Sequence, residues 1–401
     1  MFALDPLLEN VDGAAVLIVL VKVLVAFAAL MVSVMAMVWF ERKIVARMQN
    51  RLGPNIAGPF GILQTLADGV KLFFKEDLLP DRADPFVFRL APYLSLVPAF
   101  LVFLVIPMGG NFDDGNSGVV TWFGETNATL FQLADPQVGI LLVLALSSIA
   151  VYGVMLAGWS SGSKYPLLGS VRSTAQMISY EAALGLSVLA VLLNSGSLST
   201  NAIVAGQHEL NWNAWATGGV PFVIFLIAAT AELNRPPFDL VEAEQELVGG
   251  FHTEYSSIRF ALFFLAEFMN TITMSAVIVT LFLGGPAGPT SWAPEWLQGV
   301  LPTVYFFAKL LLFLFIFVWF RGTLPRLRYD QLMDLGWKVL IPLALAWFLL
   351  LAGFKISQDE GWNRAVVGGI GVAVIVVGAA LVQGAAGVAR ARRSADEEMS
   401  V

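Results

Sequence analysis

The sequence predicts an all-α fold, a polytopic bundle of transmembrane helices. Of the 401 residues, 57% are hydrophobic and 13% are charged, and the mean hydropathy is +0.75. Soluble domains carry about 25% charged residues, so this chain cannot cover a soluble surface with polar groups. Its apolar residues also form long runs, and no long hydrophilic stretch divides them. We therefore expect residues 1–401 to form a single integral membrane domain.

Nine stretches of the chain come near the length that a membrane-spanning helix needs, which is roughly 20 apolar residues. The fourth and fifth stretches are short by this measure. The nine predicted spans are 13–39, 91–108, 138–158, 175–193, 218–233, 259–283, 302–320, 336–353 and 364–387.

The distribution of positive charge predicts the orientation of these helices. Lys and Arg are concentrated in residues 40–90 and in the tail from residue 388, whereas the opposite loops hold mainly acidic residues. Cytoplasmic loops carry the excess of Lys and Arg in membrane proteins. The N-terminus is therefore predicted outside and the C-terminus in the cytoplasm.

The first cytoplasmic segment contains an amphipathic helix at about residues 59–75. Gln64, Asp68, Lys71 and Lys75 fall on one face of it, and apolar residues cover much of the rest. A helix of this length with a polar stripe is expected to lie along the membrane interface. The polar face either anchors the chain at the surface or lines a cavity beside the preceding arginine-rich turn.

Composition and motifs argue against several kinds of chemistry. Cys is absent and His occurs twice, which excludes disulfides and thiolate-bound iron–sulfur clusters and makes a haem or zinc site improbable. The sequence has no P-loop, zinc-protease motif, dinucleotide fingerprint or nucleophile elbow. The net charge of −7 gives no sign of nucleic-acid binding. If electrons are transferred, their carriers must lie on another subunit.

An acidic segment, residues 231–255, lies between two apolar spans on the predicted cytoplasmic side. If residues 241–247 are helical, Asp239, Glu242 and Glu246 share one face, while Glu244 points elsewhere. Carboxylates that lie so near one another titrate as a coupled group, and their pKa values move nearer to neutral pH, as a proton relay requires. The alternative is a solvated acidic loop that docks a basic partner.

Ionisable residues also occur inside the predicted spans, where charge is costly and usually functional. Glu181 and Glu267 each lie about two turns from the cytoplasmic side, and their short side chains cannot reach it. They would extend the acidic segment into the bilayer. Lys22 and Lys309 lie nearer the outer side, where we expect their long side chains to reach the interface.

Three motifs closely resemble one family. ERKIVARMQNRLGPN, ADGVKLFFKED and ELNRPPFDLVEAEQELVGGFHTEYSSIRFALFFLAEF resemble the H subunit family of respiratory complex I, the proton-pumping NADH:quinone oxidoreductase. The likeness covers roughly residues 13–350. It implies a membrane protein without a redox centre that forms the quinone entry tunnel and chamber. It also implies that this protein couples quinone reduction to proton translocation.

The resemblance assigns roles to individual residues, with no direct redox chemistry and no metal ligand among them. We expect Glu242 and Glu246 to be central to coupling, and Arg42 and Asp68 to quinone passage. The residues expected at the quinone chamber are Glu41, Arg42, Arg51, Asp68, Lys71, Arg235 and Phe238. Those expected on the proton path are Glu181, Asp239, Glu242, Glu244, Glu246, Glu254 and Glu267.

The same resemblance implies the substrate, the partners and the location. Quinone is the substrate, no cofactor is covalently bound, and the iron–sulfur clusters and FMN belong to partner subunits. The expected partners are the quinone-site subunits of the peripheral arm, the neighbouring membrane-arm subunits and the lipid bilayer. The expected location is an energy-transducing membrane, the bacterial plasma membrane.

The chain departs from the family pattern at its C-terminus. The usual form has eight spanning helices, which correspond here to residues 1–353. Residues 354–401 form an extension with a predicted ninth helix, for which we expect a packing or partner contact. The motifs leave three alternatives: the membrane subunit of a related energy-converting hydrogenase, an independent cation/proton antiporter, or a purely scaffolding role.

Overall fold

The computed structural model describes residues 5–8, 11–112, 118–121, 127–207, 210–240, 248–290, 292, 294–363 and 366–373. Nearly all of the ordered secondary structure in these ranges is helical. The helices are α1 Gly13–Met48, α2 Gln64–Phe74, α3 Pro85–Phe103, α4 Gly139–Ser160, α5 Lys164–Ser195, α6 Thr200–Ala205, α7 Asn213–Ala216, α8 Val220–Glu232, α9 Ser257–Phe282, α10 Glu295–Gln298, α11 Leu301–Thr323 and α12 Tyr329–Asp359.

Short elements connect these helices. Among the described residues, complete 3₁₀ turns lie at Pro6–Leu8, Pro59–Gly61 and Gly250–His252. The two strands, β1 Val119–Val120 and β2 Thr129–Leu130, form a small antiparallel pair in which Val119 lies opposite Leu130. Helix α12 contains a π-helical stretch, Leu335–Leu340.

Seven of the described helices are long and apolar enough to cross a membrane: α1, α3, α4, α5, α9, α11 and α12. Helix α8 is apolar but has only 13 residues. The prediction of a helical, multi-pass membrane protein is therefore confirmed. The predicted ninth span at 364–387 lies mostly outside the described residues, of which 366–373 are helical.

Several helices, α1 and α5 among them, extend well beyond the apolar stretches that predicted them. Helix α1 continues to Met48 and includes the polar sequence ERKIVARM, and α5 begins at Lys164 and runs for 32 residues. The fourth span is thus a long helix, not a short one. Hydropathy detects the part of a helix that can lie in lipid and not its polar ends, so both boundaries were missed.

Helices α5 and α9 form the centre of the bundle. Helix α5 packs against α4, α8 and α12, and α9 packs against α1, α3 and α11. Helix α9 is the most deeply buried of the long helices, whereas α1 and α12 lie at the edge with exposed apolar side chains such as Leu24 and Leu349. Lipid tails or apolar partner helices can cover such side chains without cost, since both are as apolar as leucine.

Helix α2 covers most of the predicted amphipathic stretch and is held at its C-terminal end by α9. The Ser257 hydroxyl donates to the carbonyls of Leu72 and Lys75 at 3.0 and 2.8 Å. These carbonyls have no partner within α2, so the serine satisfies them. Leu66, Val70, Phe73 and Phe74 remain exposed, and the position of α2 at the membrane interface stays a prediction.

The first part of the acidic segment is fixed against α5. The side-chain amide of Gln176 donates to the carbonyls of Ala231 and Phe238 at 2.7 and 2.9 Å, and to Asn234 Oδ1 at 3.1 Å. One buried side chain therefore satisfies polar groups on both sides of the turn that follows α8. Phe238 packs beside Tyr180, with ring centroids 5.3 Å apart.

The two intramembrane lysines bind internal groups. Lys22 Nζ lies 3.1 Å from Asp5 Oδ2 and 2.9 Å from Thr129 Oγ1. Lys309 Nζ donates to the carbonyls of Leu283, Gly285 and Ala287 at 2.8 to 3.0 Å. Both side chains therefore hold chain segments together at one end of the bundle, and their reach toward the outer interface stays a prediction.

An added methyl group should have different effects on stability at two glycines of α5. A Cβ on Gly169 would lie 2.7 Å from the Gly250 backbone, whereas a Cβ on Gly185 would meet nothing within 4 Å. Gly169→Ala should therefore force α5 and the 250–252 turn apart and lower the melting temperature of the purified assembly. Gly185→Ala, the matched control, should leave it unchanged or slightly higher, because alanine favours helix over glycine. Equal melting temperatures for the two variants would contradict this packing.

Candidate functional site

A large open cavity of about 1160 Å³ lies where the end of α1, the turn after it and the middle of α9 meet. Its wall combines charged, amide and apolar side chains. The lining residues are Val38, Glu41, Arg42, Val45, Gln49, Arg51, Leu52, Gly53, Pro54, Asn55, Ile56, Gln64, Phe264, Phe268 and Arg321.

The turn after α1 folds back along the last turns of that helix. The amide of Arg51 donates to the carbonyl of Ala46 at 2.9 Å, and Lys43 Nζ donates to the carbonyl of Pro54 at 2.8 Å. A side chain on Gly53 would come within 3.2 Å of the Lys43 backbone, so glycine permits this close approach. The turn therefore places Arg51 on the same cavity as Arg42.

Arg42 is oriented by α2. Its guanidinium donates to Asp68 Oδ2 at 2.6 Å, and Gln64 Nε2 donates to Asp68 Oδ1 at 3.2 Å. Partial burial raises the pKa of Asp68, but the hydrogen bond and charge of Arg42, with Gln64 and Lys71, outweigh it and hold the pKa below its usual value. Asp68 is therefore ionised at neutral pH and fixes Arg42 at the cavity wall.

A buried ion-pair network lies directly behind this wall. Arg235 contacts both oxygens of Glu41 at 3.2 Å and Glu267 Oε1 also at 3.2 Å, and its guanidinium lies 4.6 Å from the Phe268 ring centroid. Arg321 also donates to Glu41. Since Glu41 and Arg235 are almost completely buried, each needs the other to offset the cost of removing its charge from water.

Glu267 also lines a second, smaller cavity of about 130 Å³ between α9 and the end of α8. Glu232, Asn270 and His252 lie on the same cavity, among mainly apolar side chains. A third cavity of about 40 Å³ follows and is lined in part by Glu232, Asn270 and Ser147. Glu232 and Asn270 thus connect the two cavities.

Glu181 lies beyond these cavities on α5. The Ser148 hydroxyl donates to its carboxylate, and Glu181 is near enough to Glu232 to interact with it electrostatically. The described residues therefore form a series from the large cavity inward: Glu41, Arg235, Glu267, Glu232 and Glu181.

Comparison with known proteins identifies the family. A sequence profile of the family described as NADH dehydrogenase matches residues 21–352 of this chain. The chain belongs to this family. The motif-based prediction of the family, which covered roughly residues 13–350, is confirmed. The prediction that the chain is a subunit of an oxidoreductase is confirmed as well.

Three bacterial-type subunit sequences are similar to almost the whole chain. The NADH-quinone oxidoreductase H subunit of Frankia alni is 50% identical over 393 residues, 95% of this chain and 83% of the relative. That of Frankia casuarinae is 50% identical over 395 residues, covering 96% and 84%, and that of Streptomyces avermitilis is 48% identical over 369 residues, covering 90% and 79%. The match to the Frankia alni protein covers 95% of this chain, which is more residues than the stretch 1–352 contains. The similarity therefore continues into the C-terminal extension.

The structure brings together only some of the residues that the sequence assigned to the chamber. Glu41, Arg42 and Arg51 line the large cavity, Asp68 binds Arg42, and Arg235 binds Glu41. Lys71 is exposed, and its Nζ lies as far as 4.0 Å from Asp68 Oδ1, so this ion pair contributes little to holding Asp68. Phe238 packs in the core beside Tyr180 and does not line the cavity, because its side chain is fixed with the turn that Gln176 holds.

The residues assigned to the proton path also divide into groups. Glu267 and Glu181 belong to the series described above. Asp239 instead pairs with Arg326 at 3.0 Å, and Glu254 lines none of the three cavities. Glu242, Glu244 and Glu246 lie outside the described residues.

Sequence reasoning left three residues of this site without a role. Glu232 was recognisable as an ionisable residue at the end of an apolar span, but was not assigned to the path. Arg321 lies at the end of α11, and Asn270 in α9, and neither carries a local signal. Only the packing of α9 against α1, α8 and α11 brings them to the site.

Removing Arg235 should destabilise the protein strongly. In Arg235→Gln, Glu41 and Glu267 lose a shared counter-charge, and breaking a buried pair in this way costs about 3–5 kcal/mol. We expect a clear fall in melting temperature and in the fraction that assembles with its partners. Arg328→Gln is the control, since that side chain is 81% exposed and its pair with Asp330 is worth little. Equal melting temperatures for the two variants would show that the network contributes nothing.

Proposed function

We propose that this chain is the membrane subunit of an NADH:quinone oxidoreductase that admits quinone and passes its charge change into the membrane. The observation that supports this proposal most directly is the position of Arg235. This residue binds a carboxylate of the large cavity on one side and an intramembrane carboxylate on the other. The names of the related proteins favour the quinone enzyme over a hydrogenase subunit or an antiporter.

The large cavity has the mixed character that a quinone requires. The quinone head has two carbonyl oxygens that accept hydrogen bonds, and Arg42, Arg51 and Gln49 supply donors on one part of the wall. Leu52, Ile56 and Phe264 supply apolar surface for the isoprenoid tail. The cavity is open on one side, which we assign to the subunits of the peripheral arm.

Reduction of the quinone takes up two electrons and two protons and yields the quinol. This chain has no cysteine, so iron–sulfur clusters on partner subunits would deliver the electrons. The residues described here would hold the head by hydrogen bonds and keep its charge near Glu41 and Arg235. At this step, the contribution of the chain is binding and electrostatics, with no redox centre of its own.

Arg235 would convert a change of charge at the cavity into a change at Glu267. A single guanidinium shared by two carboxylates responds to the charge of each, and Coulomb interactions are stronger in a low-dielectric interior than in water. When negative charge develops at the cavity, Arg235 is drawn toward it and Glu267 loses part of its compensation. The balance between the two carboxylates then determines whether Glu267 holds a proton.

Glu232 and Glu181 would carry that proton further into the membrane. Both lie in apolar helices and line or adjoin the small cavities, where water can connect them. The acidic residues Glu242 and Glu246 stay part of the proposal as a second route of coupling on the cytoplasmic side. Helix α2 would lie at the membrane surface, with Asp68 directed to the cavity entrance.

Asp68→Asn should weaken quinone binding with little effect on stability. The variant no longer fixes Arg42, but the pair is partly exposed and worth about 1 kcal/mol or less, so the KM for quinone should rise about two- to fivefold. Lys71→Gln is the control, because Lys71 is the distant, exposed neighbour of Asp68. An unchanged KM in Asp68→Asn would remove Asp68 and Arg42 from the quinone path.

The same pair predicts a pH dependence. A carboxylate whose folded pKa is lowered stabilises the structure above its unfolded pKa, here 3.8, and loses that effect only as the pH falls through the folded pKa. The Arg42–Asp68 pair should therefore persist throughout the neutral range.

Glu232→Gln should block proton transfer while the protein still folds. Glutamine has the same shape and removes only the proton-carrying group, so quinone-dependent turnover and proton pumping should both fall about tenfold or more. Turnover of the assembled enzyme and acidification in membrane vesicles give the two readouts. Asp330→Asn, at a side chain that is 71% exposed, is the control. Normal turnover with normal pumping in Glu232→Gln would refute the role of this carboxylate.

A further inference from the structure

His252 lies between two cavities that differ in their access to water. On one side is the small cavity of about 130 Å³ that contains Glu232 and Glu267. On the other side is an open cavity of about 480 Å³, lined among the described residues by Val248, Gly249, Thr253, Tyr255 and Phe260 as well as His252. Of the described residues, His252 and Phe260 line both cavities.

The backbone holds His252 firmly in this position. The 3₁₀ turn Gly250–His252 is packed against α5, where Gly169 permits close contact with Gly250. The Thr253 hydroxyl donates to the carbonyl of Gly250 at 2.7 Å, and the amide of Tyr255 donates to the carbonyl of His252 at 3.0 Å. The turn therefore fixes the point from which the imidazole extends.

Two aromatic rings restrict the imidazole itself. Phe251 is buried, and its ring centroid lies 5.1 Å from that of His252 in an edge-on arrangement. The Phe260 ring lies 5.4 Å away on α9, also edge-on. Because Phe251 and Phe260 are apolar, the polar group that joins the two cavities at this point is the imidazole.

We propose that His252 passes protons from the open cavity, on the face predicted to be cytoplasmic, to the carboxylates of the smaller cavity. One ring nitrogen would accept a proton from water or buffer in the open cavity, and the other would release one toward Glu267 or Glu232. Each proton delivered inside is thus replaced by one taken from the aqueous side. The inference rests on the proposed function, because it supplies protons to the same carboxylates.

The neighbouring ionisable groups are less suited to this transfer. Burial raises the pKa of Tyr255 to about 12, despite Ser160 and Arg259, and its hydroxyl donates to the carbonyl of Phe88 at 3.1 Å. Arg259 pairs with Asp77 at 2.8 Å, and Glu254 lines neither cavity. Of the described residues that line the open cavity, His252 has the type of side chain that exchanges protons near neutral pH, since the ordinary pKa of imidazole is about 6.5.

Chemical rescue separates proton transfer from a packing role. His252→Ala in the assembled complex should lower quinone-dependent turnover about a hundredfold, the lower end of the range for loss of a proton-transferring group. The shorter side chain leaves space beside the open cavity, where added imidazole can bind. Turnover should therefore rise with imidazole concentration and then reach a plateau. His252→Gln fills that space without titrating, and imidazole should not restore its activity. The chain's other histidine gives the control variant, His208→Gln.

The pH profile provides a second readout for a variant that assembles well. Without the imidazole, proton delivery depends on the scarce hydronium ion, so turnover of His252→Gln should fall more steeply with rising pH than that of the wild type. If His252→Ala does not assemble with its partners, this profile still tests the inference. A merely structural histidine would lower turnover equally at each pH.

Two results would overturn the inference: wild-type turnover in both variants, or a loss that neither imidazole nor pH modifies. The Glu232→Gln variant keeps these outcomes separate from the proposed function. If Glu232→Gln blocks pumping and both His252 variants are normal, the carboxylate series operates and protons reach it by another route. If Glu232→Gln is itself normal, the proposed function fails first.

Discussion

The contact between Arg235 and the carboxylates of Glu41 and Glu267 is the constraint on which the site depends. Glu41 and Arg235 are almost completely buried and are stable only when they are paired, and Arg235 also lies where Glu267 can reach it. That requirement fixes α1 and α9 relative to the turn after α8, and Arg321 adds α11. The pairing that holds four segments together is also the one that connects the large cavity to the membrane interior.

The turn after α8 is rigid for reasons separate from that network. Gln176 satisfies three polar groups of the turn, and Asp239 at its end pairs with Arg326. Because the backbone around Arg235 is held on both sides, the proposed coupling of charge at the cavity to Glu267 needs only a small movement of one side chain. A large displacement of the backbone is not needed for the two carboxylates to influence each other.

The sequence predicted features that depend on one segment at a time, and missed those that depend on pairing. Hydropathy located the apolar core of the long helices, and the position of Glu181 and Glu267 within apolar runs marked them as candidate functional residues. Asp239 was assigned to the path with its acidic neighbours, but it binds Arg326, 87 residues further along the chain. Phe238 was assigned by motif, whereas packing against Tyr180 decides where its ring lies. Partners distant in sequence are visible only once the helices have packed.

The cavity volumes limit how far the proposed proton path can extend between the described residues. A water molecule needs about 10–15 Å³ of accessible space and two or more polar partners. The cavities of about 130 and 40 Å³ meet both conditions, since Glu267, Glu232, Asn270 and Ser147 line them. The next cavity is only about 10 Å³ and, apart from Ser147, is lined by apolar side chains such as Val188 and Phe225. Such a space stays dry and opposes proton transfer straight across the bilayer. Among the described residues, the proposed proton path therefore has no water-filled continuation from Glu232 straight through this space.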